Sequence, residues 1–191
     1  MQPSNKTRVA LITGSTRGLG RSIAQEYLNE GYRVVSNSRK MIDKFSDYNI
    51  NDKDFHYIAG DVSKANEAER IVKEIRDEYG KLDVLVCNVG SGKSVKEGNE
   101  NHEEWLKVLR VNFFSATNMI EASLSLLKNS NDASIICITS ICGSERIDGA
   151  PVTYSVAKAA LNAYVTYISK AFAHMGIRIN AITPGNIMFD G

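Results

Sequence analysis

Three residues in the second half of the chain carry the most pointed chemistry. Tyr154 and Lys158 stand four apart in YSVAK, and Ser140 lies fourteen positions before Tyr154. A helix over that segment puts the phenol and the ammonium on one face. An unperturbed tyrosine has a pKa near about 10, so one that exchanges a proton with a substrate oxygen needs a neighbouring cation to favour its phenolate. Lys158 can supply that field. The Ser140 hydroxyl can hydrogen-bond the same oxygen, so that a carbonyl is polarised when hydride arrives from a nicotinamide. Taken alone, a tyrosine and lysine at this spacing are an ordinary helix-surface pair, and a second site is needed to give them meaning.

That second site is TGSTRGLG, which follows the apolar run Val9 to Ile12 and places Gly14, Gly18 and Gly20 on a turn from strand to helix. Gly14 permits the tight turn, Gly18 lets backbone approach a pyrophosphate, and Gly20 lets the helix pack close, with the helix N-terminal N–H groups facing the anion. A glycine turn without a ligand is the plain alternative. The next strand ends in Val34-Val35-Ser36-Asn37-Ser38-Arg39-Lys40, without the acid that accepts ribose hydroxyls of NAD. Arg39, with Arg17 from the glycine turn, could instead hold a 2′-phosphate by charge-assisted hydrogen bonds. NADP(H) is therefore expected over NAD, against the alternative of a solvated arginine-lysine pair.

These residues need a frame to bring them together. Apolar runs at 9–13, 32–37, 55–59, 82–87, 134–139 and 177–182 read as strands. Helical patterns lie between them at about 18–29, 65–79, 103–110 with 111–127, and 152–173. Strands alternating with crossover helices predict a doubly wound α/β fold, a mostly parallel sheet of at least six strands covered on both faces. No repeat, linker or low-complexity tract divides residues 1–191, so one domain is expected. The 191 residues, 43% hydrophobic and 24% charged, exclude a disordered or collagen-like chain. Scaling of surface with mass lets about 70% of the unfolded surface be buried. With 23 Lys and Arg against 22 Asp and Glu, the formal charge of +1 gives no general reason to bind nucleic acid or an anionic membrane.

Together the residues resemble the short-chain dehydrogenase/reductase family, including its members similar to 3-oxoacyl-carrier-protein reductases and sugar or polyol dehydrogenases. TGSTRGLG, Asp61-Val62, Asn88-Val89-Gly90, Asn112, the set Ser140, Tyr154 and Lys158, and Pro184-Gly185 fall in the family's order over nearly the whole chain. The resemblance implies an NADP(H)-dependent oxidoreductase acting on a small carbonyl or secondary alcohol. In that reading Tyr154 is the acid/base, Lys158 binds the nicotinamide ribose and lowers the tyrosine pKa, Ser140 orients substrate, and Asn112 supports a proton-relay water. Asp61 would bind adenine, with Val62, Asn88 and Gly90 beside the cofactor and Thr16 and Leu19 in the glycine turn. Pro184, Gly185 and Ile187 would approach the carboxamide. Asp61 or Ser63 could instead cap the helix from Ala65, and Asn112 could bond only to backbone.

The sequence also departs from the family. Its NNAG reads Cys87-Asn88-Val89-Gly90, and Phe189 stands where a threonine is usual. Family members run on past this point into a helical segment and a seventh strand, so the resemblance predicts a domain without its substrate lid and last strand. A dinucleotide-binding regulatory protein with little turnover is the alternative from another class.

A phosphotransferase is a further alternative, because CNVGSGKS ends in Gly92-Lys93-Ser94 like a P-loop, yet it lacks the first glycine. His56, His102 and His174 show no metal-ligand spacing, and no metal is expected. Cys87, Cys137 and Cys142 form no CxxC pair, which points to a reducing compartment and a cytoplasmic location. Phe113, Phe114, Met119, Tyr164, Tyr167 and Phe172 make two helices apolar around much of their circumference, so a homodimer or homotetramer is expected.

Overall fold

Strand β1 (Val9–Thr13) is buried at all of its positions, as a strand sandwiched between helices must be. The computed structural model describes residues 7–40 and 53–187. With β2 (Arg33–Ser38), β3 (Phe55–Ala59), β4 (Val84–Cys87), β5 (Ala133–Ile138) and β6 (Ile177–Ile182), β1 forms a six-stranded sheet in the order β3-β2-β1-β4-β5-β6. Every neighbouring pair is parallel. The first half of the chain therefore builds outward from β1 and the second half outward from β4. A crevice opens between them at the carboxyl ends of the strands, where ligands of such sheets bind.

Parallel strands require crossovers, supplied by α1 (Gly18–Asn29), α2 (Ala65–Tyr79), the pair α3 (His102–Leu109) and α4 (Ser115–Leu127), and α5 (Val152–Ala173). The expected strands and helices are all present, with ends displaced by one or two residues, except that the helix expected from 111 begins at Ser115, four residues later. Two features were not anticipated. Between α3 and α4 the backbone makes a π turn over Arg110–Phe114, with the Ser115 N–H bonded to the Arg110 carbonyl. A single 3-10 turn, Ile141–Gly143, follows β5.

The alternation along each strand divides the core in two. Leu11, Val35, Leu85, Ile135 and Ile179 face α2, α4 and α5, where Ile71, Ile75, Met119, Ile120, Leu161 and Phe172 meet them. Ala10, Ile12, Val34, Val84 and Val86 face the other way, toward Ala24, Ile23 and Leu28 of α1. The amino ends of the strands are tied by buried Asp83, which accepts the Val9 N–H at 2.8 Å, Lys81 Nζ at 2.8 Å and the Ser130 hydroxyl at 2.6 Å. Burial pushes the Asp83 carboxyl up, but those bonds outweigh it and hold it below the ordinary carboxylate range.

Of the large apolar side chains on α4 and α5, Met119 and Phe172 are core, and Tyr164 packs edge to face against Phe113 of the π turn. Tyr167 is 85% exposed, Val156 46% and Phe114 41%. Among the described residues, no helix is long and apolar enough to cross a membrane, and no cluster of His, Cys, Asp and Glu could hold a metal. The cysteines are free thiols; Cys87 and Cys137 are buried opposite one another on β4 and β5, and Cys142 is half-buried.

Candidate active site

The glycine turn takes the form its residues demand. Gly14 and Gly18 have φ of 65° and 53°, a region that disfavours side chains. At Gly20, the first buried residue of α1, an added Cβ would run into the Gly14 carbonyl and the Asn88 amide. Asn88 braces the turn from across the crevice, its Nδ2 donating to the Thr13 and Gly14 carbonyls at 3.0 and 3.1 Å. Its backbone N–H donates to the Thr13 hydroxyl at 3.0 Å. Asn88 is thus a brace for the cradle, a task the motif alone did not disclose.

Helix α1 begins at Arg17 with no side-chain cap and no acid in its first turn. Its leading N–H groups therefore lack intrahelical partners and point out from the turn, which is the donor set an anion needs. Thr16 and Leu19 are half-buried on this turn, Leu19 packing on the α1 side of the core. Arg17 and Arg39 are exposed, and neither has an ion pair among the described residues.

The end of β2 is tightly organised without an acid. Asn37 is fully buried and donates from Nδ2 to the Ile58 and Gly60 carbonyls at 3.0 and 3.2 Å. Its carbonyl receives the Ser15 N–H at 3.1 Å, and buried Ser15 and Ser36 share a hydrogen bond of 2.6 Å. Two carbonyls aimed at one amide would repel a carboxylate, so position 37 suits an amide and not an acid. Next along, Asp61 Oδ1 accepts the Ser63 N–H and hydroxyl at 3.1 and 2.8 Å, forming the turn that leads to α2. Lys64, not Asp61 or Ser63, occupies the residue before α2, and that helix has no side-chain cap. Val62 is buried, its carbonyl held by Asn118 Nδ2 at 3.2 Å.

On the other side of the crevice, Ser140 lies two residues beyond β5, just before the 3-10 turn, and accepts the Cys142 N–H on its hydroxyl at 3.2 Å. The following residue, Ile141, donates its N–H to the Pro184 carbonyl at 3.1 Å, so the segment after β6 is joined to the segment after β5. Gly185 and Ile187 are exposed beyond it, whereas Phe189 lies outside the described residues. Lys158, one turn after half-buried Tyr154, is only 2% exposed and donates to the Ile138 carbonyl at 2.9 Å. Its ammonium lies 6.0 Å from the centre of the Tyr154 ring. Burial pulls the Lys158 ammonium down to about 8. The adjacent Cys87 thiol is pushed up, by its hydrogen bond with Cys137 and by burial, so it stays protonated.

Asn112 sits in the π turn, a distortion common at functional sites. Its Oδ1 accepts the Ser91 N–H at 2.8 Å, and its Nδ2 donates to the Ser91 and Val108 carbonyls, both at 3.1 Å. Both amide protons are engaged, so the side chain acts as a clamp on the loop after β4. Gly90 lies between this clamp and Lys158: a Cβ there would meet Lys158 Nζ at 3.0 Å and Asn112 Oδ1 at 3.2 Å. The P-loop alternative fails on geometry, because no helix starts at Ser94; α3 begins eight residues later, at His102. Ser94 instead bonds to Glu104 and Thr153. Spacing alone does not disclose this network, although Asn101-x-x-Glu104 is a helix-start pattern. A surface cavity of about 410 Å³ between Glu97 and residues 142–150 includes none of Ser140, Tyr154 and Lys158 in its walls.

Residues 8–190 match the family described as short chain dehydrogenase. The chain is 31% identical over 185 residues to the 3-oxoacyl-[acyl-carrier-protein] reductase FabG of Haemophilus influenzae, covering 96% of this chain and 75% of that protein. Among solved structures, it is similar to the RhlG/NADP active-site complex of Pseudomonas aeruginosa at a TM-score of 0.86 and 30% identity, over 95% of this chain and 73% of that one. The NADH-dependent reductase A1-R′ complexed with NAD aligns at a TM-score of 0.87 and 25% identity, over 95% and 79%.

Proposed function

The chain belongs to the short chain dehydrogenase family, whose members it follows over residues 8–190, and from that premise we propose that it is an NADP(H)-dependent reductase of small ketones. The observation that carries the reading is the buried Lys158 beside Tyr154, at the mouth of a crevice whose opposite wall is an uncapped, glycine-lined helix start. A nicotinamide dinucleotide fits those residues. The pyrophosphate would meet the free N–H groups at Gly18, Leu19 and Gly20, with Gly14 and Thr16 in the turn. The adenosine end would lie by Asp61 and Val62, and the nicotinamide end by Gly90, Pro184, Gly185 and Ile187. Bound there, the cofactor supplies hydride.

The protein's own residues do the rest. Ser140 directs its hydroxyl proton to the substrate carbonyl and orients it. Tyr154 donates its phenolic proton to the oxygen as negative charge grows there. Lys158, buried and cationic, lowers the cost of the phenolate left behind and offers a donor to the ribose. Asn112 contributes by fixing Ser91, which keeps Gly90 open beside Lys158.

NADP(H) in preference to NAD is supported by Arg17 and Arg39, exposed and without ion pairs among the described residues, and by an Asn37 site that would repel an acid. The relative named as a 3-oxoacyl reductase supports a 3-oxoacyl thioester as the first substrate to try. A cytoplasmic location accords with the reductase chemistry and with the free thiols. The exposed Phe114, Val156 and Tyr167 support a homodimer through α4 and α5, and light scattering reading a monomer would refute it. A single domain accords with the one six-stranded sheet that the described residues form. The experiment that tests the function is stopped-flow oxidation of NADPH by acetoacetyl-CoA. Tight NADPH binding without oxidation of NADPH by any ketone would sink the reading.

A further inference from the structure

The loop after β4 is fastened twice before it reaches α3. The first fastening is Asn112 on Ser91. The second is Ser94, whose Oγ lies 2.8 Å from Glu104 Oε1 and 2.6 Å from Thr153 Oγ1. The direction of these bonds follows from their chemistry. An ionised carboxylate only accepts, so Ser94 directs its single proton to Glu104, and Thr153 must donate its own to the Ser94 oxygen. Glu104 is kept ionised by Lys107, 2.9 Å away, and then by the Ser94 hydroxyl, with the Val95 N–H adding a further bond. Its place in α3 is set independently, because its N–H donates to the Asn101 side chain at 2.9 Å. The carboxylate of a helix-start glutamate often turns back to the cap residue. Here it is turned onto Ser94 and Val95 of the loop.

Thr153 has no exposed surface and immediately precedes Tyr154 in the first turn of α5. That turn starts at Pro151 with no side-chain cap. A threonine near a helix start commonly bonds to its own backbone, but the Thr153 hydroxyl reaches across to a loop 59 residues away in sequence. The start of α5 is thereby anchored to α3 through one serine.

We propose that the chain of hydroxyls from Thr153 through Ser94 to Glu104 is a positioning device, which sets the first turn of α5, and with it the Tyr154 phenol, against the loop that borders Gly90. None of the three is a catalytic residue. Their effect on rate would arise because a proton donor displaced by about 1 Å can lose about a hundredfold in rate. The inference rests on Tyr154 being the proton donor, as proposed above.

Two measurements on the full chain test it, with Ser94→Ala, Thr153→Val and Thr153→Ser. Amide hydrogen exchange, which needs no ligand, should quicken in 91–96 and in 155–158 together in Ser94→Ala and leave 18–22 unchanged. Quickening confined to 91–96 would overturn the coupling. In NADPH-linked reduction of acetoacetyl-CoA, Ser94→Ala and Thr153→Val should lower kcat by at least about tenfold while the KM for NADPH stays within about twofold, and Thr153→Ser should retain the native kcat. A merely structural staple predicts lower thermal midpoints with kcat intact, and that result would overturn the proposal even if Thr153→Val failed to fold, because Ser94→Ala would show it. A native chain that reduces no ketone, with exchange still coupled, would count against the reductase reading and leave the coupling in place.

Discussion

The turn after β1 and the first turns of α5 lie on the same rim of the sheet but depend on opposite things. The turn after β1 works by missing atoms: Gly20 has no room for a Cβ against the Gly14 carbonyl and the Asn88 amide, and the N–H groups of α1 go uncapped. The start of α5 works by atoms that are costly to bury, above all the Lys158 ammonium held against the Ile138 carbonyl. The first region is a shape that backbone alone can offer a phosphate. The second is a charge that only a packed interior can tune. Damage to the two should therefore separate binding from chemistry.

The sharpest separation is expected from Tyr154→Phe, which removes the proton and little else. Its kcat should fall by about a thousandfold, within the span typical of general acid catalysis, while the Kd for NADPH holds within about twofold. Kinetics paired with a binding titration checks this, and substantial turnover in Tyr154→Phe would refute the assignment.

Next in size is the buried ammonium. Burial lowers the Lys158 pKa from the ordinary 10.5 to about 8 in the folded protein. Between those values the unfolded chain binds more protons, so this group makes stability rise with pH across that window, by about 3 kcal/mol in total. In Lys158→Met that rise should vanish from urea unfolding midpoints measured between pH 8 and 10. Identical profiles for native protein and variant would mean the ammonium is solvated after all.

Gly20→Ala attacks the other region. Overpacking of this kind costs about 1–3 kcal/mol, and the expected result is a lower thermal midpoint together with loss of NADPH affinity. A variant that bound NADPH normally would show that the turn can shift to admit a methyl group. The smallest effect is expected at the exposed edge of the cofactor site. Native protein should prefer NADPH to NADH by at least about tenfold, or about 1.4 kcal/mol, and Arg39→Asp should shrink that gap. Equal affinities in the native protein would remove the argument from β2.

Much of this contrast was legible in the order of residues. Strand β1 and the glycine turn are local features, and so is the placing of Tyr154 and Lys158 on one helix face, since period and spacing alone determine them. Strand ends moved by a residue or two because pairing with neighbours, not composition, terminates a ladder. The π turn at Arg110–Phe114 left no local signal: it arises where Asn112 reaches both Val108 within its own helix and Ser91 on another loop. Ser94 looked like the end of a phosphate loop until the absence of a helix after it, and the presence of Glu104 and Thr153 beside it, gave it a different task.

By itself, then, the sequence determined the parallel α/β frame, the glycine cradle and the Ser140, Tyr154 and Lys158 set, all of which follow from periodicity and residue type within a short stretch. Only the tertiary structure decided that Lys158 is desolvated, that the Asn88 and Asn112 amides are engaged with Gly14 and Ser91, and that Thr153 is tied to α3. Each of those depends on partners 20 to 75 residues away in sequence. The physical reason is that hydrogen-bond direction and loss of solvent are properties of surroundings, and surroundings exist only once the strands have been brought side by side.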